Sequence, residues 1–273
     1  MKPLIAPALG RLVGLLLALG LTACSTTPPG APPAAVTDLA PQGRLRAAIN
    51  FGNPILATKD PATGEPRGLS VDLARELGRR LDVPVELVTF PAAGKVVEGL
   101  KANAWDIAFV AIDPARAVDM DYSAPYVIIE GSYLVPQASP IRANADVDRA
   151  GIRVVVGAGS AYDLYLSREL KHATLMRAPT SPAVVDAMVA QHMEVAAGVK
   201  QQLEADAKRV PGVRMLDGRF MVIEQAMAVP KDRTAGVRYV SAFVEEMKAS
   251  GFVAASLRRH GVEGAGIAPP AAR

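Results

Sequence analysis

The chain reads as an α/β protein built from two units of similar size. Three observations lead there. Short apolar runs alternate with segments of helical period, and the order strand, helix, strand, helix, strand occurs twice. Half of the residues are hydrophobic (50%), and roughly 220 residues between Pro41 and His260 are enough for a substantial core divided between two lobes.

In the first unit, residues 45–50 are a strand, and Leu69, Leu73, Leu77 and Leu81 recur every four residues along one face of a helix that Ser70 is placed to cap. Residues 85–89 form the next strand, and a helix over 95–101 leads into the apolar run 107–111. The second unit begins with a strand at 153–156, a helix at 161–170 and a strand at 174–177. Ser181 and Pro182 open a helix running to His192, followed by a strand at 195–197 and a polar helix at 200–208. Extended segments follow at 221–223 and 225–229. Val237, Val240, Phe243, Val244 and Met247 then line one face of a last long helix, with Phe252 and Leu257 continuing apolar burial after Gly251. Open α/β sheets bind ligands at the carboxyl ends of their strands, and two such units joined by extended segments enclose a cleft.

The amino terminus is of another kind. A short apolar run, Leu12 to Gly20, follows Lys2 and Arg11 and ends at Leu21-Thr22-Ala23-Cys24, whose cysteine is the only one in the chain. This pattern resembles the bacterial lipobox, which implies cleavage before Cys24, its lipidation and a membrane anchor; an ordinary secretory peptide with an incidental cysteine is the alternative. Residues 1–23 are accordingly read as a signal peptide, the proline-rich 24–40 as a flexible tether and 263–273 as a flexible tail. The protein is read as a monomer without disulfides.

Formal charge is +3 from 30 basic and 27 acidic residues that are interspersed, a solvated surface and not a nucleic-acid footprint. His172, His192 and His260 belong to no metal-binding motif. Gly157-Ala158-Gly159-Ser160 lacks the second glycine of a nucleophile elbow, and no phosphate-loop motif is present. No cofactor, metal or enzymatic activity is expected.

Three stretches carry a family resemblance. Gly68-Leu69-Ser70-Val71-Asp72-Leu73-Ala74, Trp105-Asp106-Ile107-Ala108-Phe109 and the block from Asp113-Pro114-Ala115-Arg116 to Asp121-Tyr122-Ser123-Ala124-Pro125-Tyr126 resemble the family 3 extracellular solute-binding proteins, receptors for polar amino acid importers. The resemblance implies a type II periplasmic binding protein-like fold with two α/β lobes joined by a two-strand hinge. Lobe one would comprise 41–133 and 225–262 and lobe two 134–224, with crossings near Leu134-Val135 and Val222 to Val229. It also implies a periplasmic location and an ABC transporter permease as partner.

By the same resemblance Arg116 clamps a ligand carboxylate, a task suited to its planar fork; the alternative is a surface arginine paired with Asp113 or Asp119. Gly159 and Ser160 match the family's glycine and hydroxyl turn, where backbone N–H groups at a helix start favour an anion; the alternative is a tight turn capped by Ser160. Departures from the pattern also matter. The stretch 109–113, including Ala111, is apolar where relatives carry hydroxyl donors, and 194–199 places no carboxylate where a ligand ammonium needs one. Phe51 is the one aromatic near the position of the usual side-chain shelf, and Asp113, Glu130 or Glu224 are the available replacements for the lost negative charge. The expected ligand is a small anionic or amino acid-like metabolite carrying a carboxylate. A cyclohexadienyl dehydratase-like enzyme and a ligand-sensing lipoprotein without a transport role are the alternatives.

Overall fold

The computed structural model describes residues 30–272; the expected signal peptide, 1–23, and Cys24 lie outside them. The chain starts with α1 (Pro33–Leu39), β1 (Leu45–Asn50) and a small hairpin of β2 (Thr58–Lys59) and β3 (Pro66–Arg67). Next come α2 (Leu69–Leu81), β4 (Val85–Phe90), α3 (Ala93–Lys101), β5 (Ile107–Ala111), β6 (Met120–Tyr122) and the long β7 (Val127–Pro136). The second half holds β8 (Arg153–Gly157), α4 (Ala161–Glu169), β9 (Thr174–Ala178), α5 (Val184–Ala190), β10 (Val195–Val199) and α6 (Lys200–Arg209). It closes with β11 (Val213–Met215), the long β12 (Met221–Pro230), α7 (Thr234–Ala249), α8 (Phe252–Arg259) and β13 (Gly266–Ile267).

The main strands follow the order β4-β1-β5-β12-β7-β10-β8-β9. β4, β1 and β5 are parallel and form the sheet of one lobe; β10, β8 and β9 are parallel and form that of the other. The two meet through β7 and β12, each 10 residues long. β12 pairs with β5 over Gln225 to Ala228 and with β7 over Met221 to Gln225, and β7 then pairs with β10 over Gly131 to Leu134. Two strands thus run from one sheet into the next, as the two-strand hinge requires. The extended segments expected on either side of Glu224 are one strand.

Local chemistry explains the lobe-one elements. The leucines of α2 are buried along one face, but its cap is Gly68, not Ser70, which lies inside the first turn and is itself buried. Gly68 has φ 125°, and a Cβ there would stand 2.4 Å from the Leu56 carbonyl oxygen, so only glycine admits this entry. Beneath the sheet, Asp106 is fully buried and receives Arg46 Nε and Nη2, each at 2.9 Å, and Arg233 Nη1 at 3.0 Å. Burial opposes its ionisation, but the hydrogen bonds from Arg46 and Arg233 outweigh it and hold the carboxyl below its usual range. Arg233 also donates to the Asp38 carbonyl at 2.8 Å, so one cluster joins α1, β1, β5 and α7.

Both termini depart from the sequence reading. Residues 33–39, expected within a tether, form α1, with Ala35 and Leu39 buried and Asp38 Oδ2 accepting the Gly236 N–H at 2.8 Å. The expected flexible tail contains β13, which pairs with Ile128 and Val127 of β7, and Lys248 Nζ donates to the Pro269 carbonyl at 2.8 Å. Proline and alanine have little to bury by themselves; α1 forms where it packs against α7, and β13, itself exposed, is held by its pairing with β7. At α8, Ser256 and His260 both bond to Asp72 Oδ2, at 2.6 and 2.9 Å, docking this helix on α2.

Asp106→Asn is expected to destabilise the protein by about 3 kcal/mol, because a buried guanidinium, that of Arg46, and a half-buried one, that of Arg233, lose their counter-charge. The folded pKa of Asp106 is depressed. Its contribution is therefore complete above the unfolded value of about 3.9 and is lost as pH falls through the folded value. Urea midpoints measured from neutral to acid pH check this: the variant should show a shallower acid loss than wild type.

Candidate functional site

The carboxyl ends of β5 and β8 face each other across the cleft. After β5, Asp113 Oδ1 accepts the Ala115 N–H at 2.9 Å, and the Asp113 carbonyl accepts the N–H groups of Arg116 and Ala117. This tight turn folds Arg116 back under the strand end, where it is only 3% exposed. Its Nη1 donates to the Ala111 carbonyl at 3.0 Å and its Nη2 to the Gly159 carbonyl, in the other lobe, at 2.7 Å. Nε has no hydrogen-bond partner. Burial lowers the guanidinium pKa, with Tyr122 and Asp113 opposing, yet arginine starts so high that it stays a cation.

After β8, Gly159 adopts φ +68° and Ser160 caps α4, its Oγ accepting the Asp163 N–H at 3.1 Å. Asp163 in turn accepts the Gly159 N–H at 2.8 Å and pairs with Arg177 at 2.9 Å. Ser160 therefore does what its alternative reading held. The Gly159 amide, which sequence reasoning offered to an anion, is held by Asp163.

Between these turns lies a cavity of about 30 Å³, lined by Asn50, Gly52, Asn53, Ala93, Val110, Ala111, Arg116, Ser160, Ala161, Tyr162, Ser181, Val199, Ile223 and Gln225. That is room for about two water molecules. Arg116 is the one charged group in the lining, which contains no carboxylate, histidine or cysteine. Three of the lining residues carry a buried polar atom without a well-formed hydrogen bond: Arg116 Nε, Tyr162 Oη and Asn53 Oδ1. Burial pushes the Tyr162 hydroxyl up to about 12. Atoms of this kind each cost about 1–3 kcal/mol, and three of them belong to residues that share this one cavity.

Of the residues expected at the site, Arg116, Ser160 and Ala111 line the cavity, and Gly159 borders it through its bond to Arg116. Phe51 does not: it turns out to a separate surface groove, with Lys59 Nζ 5.5 Å from its ring centroid. Asp113 is buried outside the lining and pairs with Arg168 at 3.0 Å, so it is no free counter-charge. Glu130 is likewise engaged, by Lys200 and Arg219, and Glu224 is exposed. Arg116 pairs with neither Asp113 nor Asp119. Asn53, Ser181 and Gln225 escaped sequence reasoning; the signal available was a buried-type strand, 221–230, interrupted by a glutamine.

A two-lobed α/β architecture with a cleft at the strand ends defines the class of binding proteins that close around a ligand. The profile of the bacterial extracellular solute-binding proteins, family 3, matches residues 45–263, and the chain belongs to that family. Among solved structures, a mutant of the ArgBP of T. maritima superposes with a TM-score of 0.72 at 20% identity, covering 84% of this chain and 100% of the other. The solute receptor for L-cysteine of Neisseria gonorrhoeae gives 0.72 at 23%, covering 85% and 95%. An ancestral amino acid-binding protein, a precursor of cyclohexadienyl dehydratase, gives 0.70 at 21%, covering 82% and 98%. At such identities the likeness establishes the fold, one characteristic of extracytoplasmic proteins. Comparison with curated proteins finds no match.

Tyr162→Phe removes a buried hydroxyl that lies beside the Ser181 and Ser160 hydroxyls without a well-formed hydrogen bond to either. Urea unfolding is expected to show the variant as stable as wild type or more stable by about 1 kcal/mol. A loss of that size would mean that the hydroxyl has a structural partner.

Proposed function

We propose that the protein is a lipid-anchored periplasmic substrate-binding protein of an ABC importer, capturing a small carboxylate-bearing metabolite that lacks an ammonium group. The observation that carries this reading is the charge balance of the cavity, one arginine and no carboxylate. The ligand's carboxylate takes Arg116 Nε and, once the lobes part, the Nη2 now held by Gly159. Asn53 and Tyr162 then meet hydroxyl or carbonyl groups of the ligand. An ammonium in this lining would lose its water without gaining a counter-charge, at a cost of several kcal/mol. Family membership supports delivery to a permease, and the Cys24 motif supports the anchor.

The dehydratase-like alternative draws on one structural neighbour, but proton transfer at neutral pH needs a group that titrates there. The titratable lining groups, Arg116 and Tyr162, both hold their protons far above pH 7. Among the described residues no group of His, Cys, Asp or Glu is placed to hold a metal.

A thermal-shift screen of hydroxy acids, keto acids, dicarboxylates and L-amino acids tests the ligand class. Organic acids should raise Tm, and Arg116→Ala should weaken the best of them at least about 10-fold by calorimetry, with Arg116→Lys recovering only part. Tight, stereospecific binding of a common L-amino acid, or an organic acid affinity unchanged by Arg116→Ala, would overturn the reading. Anchoring is checked by mass analysis of the membrane fraction, where a Cys24→Ser protein should be released.

A further inference from the structure

The closed cleft is held by the protein's own groups, and they converge on the turn that carries Gly159. Asp113, fixed in lobe one by the Ala115 amide, receives the fork of Arg168 from α4 in lobe two, Nη2 to Oδ2 at 3.0 Å and Nη1 to Oδ1 at 3.5 Å. The Asp113 side chain is 5% exposed and that of Arg168 44%, so this is a half-buried pair at the rim of the cavity. One turn deeper, Arg116 Nη2 reaches the Gly159 carbonyl. Beside it the backbones of Gly94 and Gly159 touch: a Cβ on Gly159 would stand 2.7 Å from Gly94 Cα.

We propose that the Asp113–Arg168 pair is an autoinhibitory latch that keeps the lobes shut and Arg116 occupied, so that a ligand enters only molecules in which the latch has opened and there takes the place of the Gly159 carbonyl. The consequence for ligand capture rests on the reading of the cavity given above; the latch itself does not. With Nη1 and Nη2 both committed to carbonyl oxygens, a carboxylate competes with the protein for its own arginine. A cavity of about 30 Å³ admits no metabolite while the latch holds. Apparent affinity is then the intrinsic affinity reduced by the fraction of molecules that are open, so Arg168 sets affinity without touching the ligand.

The test needs no ligand. The full-length protein is treated with phenylglyoxal, and modification of Arg116 is followed by peptide mass against Arg79, whose side chain is 70% exposed. Arg168→Ala and Asp113→Asn should each speed modification of Arg116 about fivefold relative to Arg79, the amount expected of a partly exposed ion pair. Wild type should move the same way in about 1 M salt. Asp113→Asn keeps the acceptor for Ala115, so it and the salt series decide the matter if Arg168→Ala folds poorly. Equal Arg116 reactivity in wild type and the folded variants at low and high salt would overturn the latch. Faster modification with no organic acid binding to any form would uphold it and overturn only the ligand reading.

Discussion

The β12 residues Met221 to Gln225 pair with Gly131 to Val127 of β7, and this short antiparallel ladder is the seam on which the arrangement of the site depends. Through it the parallel sheets of the two lobes become one continuous surface. The seam sets β5 and β8 so that their carboxyl ends oppose each other, which is where open α/β sheets leave backbone and turn residues free to meet a ligand. A shift of one residue in this ladder would exchange the faces of Ile223 and Gln225 with those of Val222 and Glu224, bringing an exposed carboxylate and an exposed valine toward the cavity.

The buried acids Asp106 and Asp163 are treated differently from the polar groups of the cleft. Asp106 is surrounded by donors from Arg46 and Arg233, and Asp163 by the Gly159 amide and Arg177. These are complete networks, and their function is to join elements distant in sequence. In the cleft, by contrast, an arginine nitrogen, a phenol and an amide oxygen are buried without a well-formed hydrogen bond, although the phenol lies beside the Ser181 and Ser160 hydroxyls. Buried polar atoms without a partner also occur away from the cleft, at Tyr126, Asn144 and Gln201 among others, so the three in the cleft are set apart by the cavity their residues share and not by being open.

Much of the scaffold was legible in the sequence, because its signals are local. Leucines four residues apart determine which face of α2 is buried whatever it packs against, and the apolar runs at 107–111 and 153–156 are strands of buried parallel sheets on composition alone. The block ending at Asp113-Pro114-Ala115-Arg116 marked the turn that carries the arginine. The termini failed because proline-rich and alanine-rich segments have no pattern of their own; α1 and β13 exist by docking on α7 and β7.

The sequence by itself determined the element order, the two-unit organisation and the residues most suited to meet an anion, since periodicity, turn chemistry and charge are properties of neighbours along the chain. Only the tertiary structure decided how those residues are engaged. Arg116 is bonded to carbonyls 5 and 43 residues away, Asp113 to an arginine 55 residues away, and Phe51 faces out of the cleft. Which groups remain open is a matter of what the opposite lobe brings within hydrogen-bonding distance, and no local pattern in the chain encodes that distance.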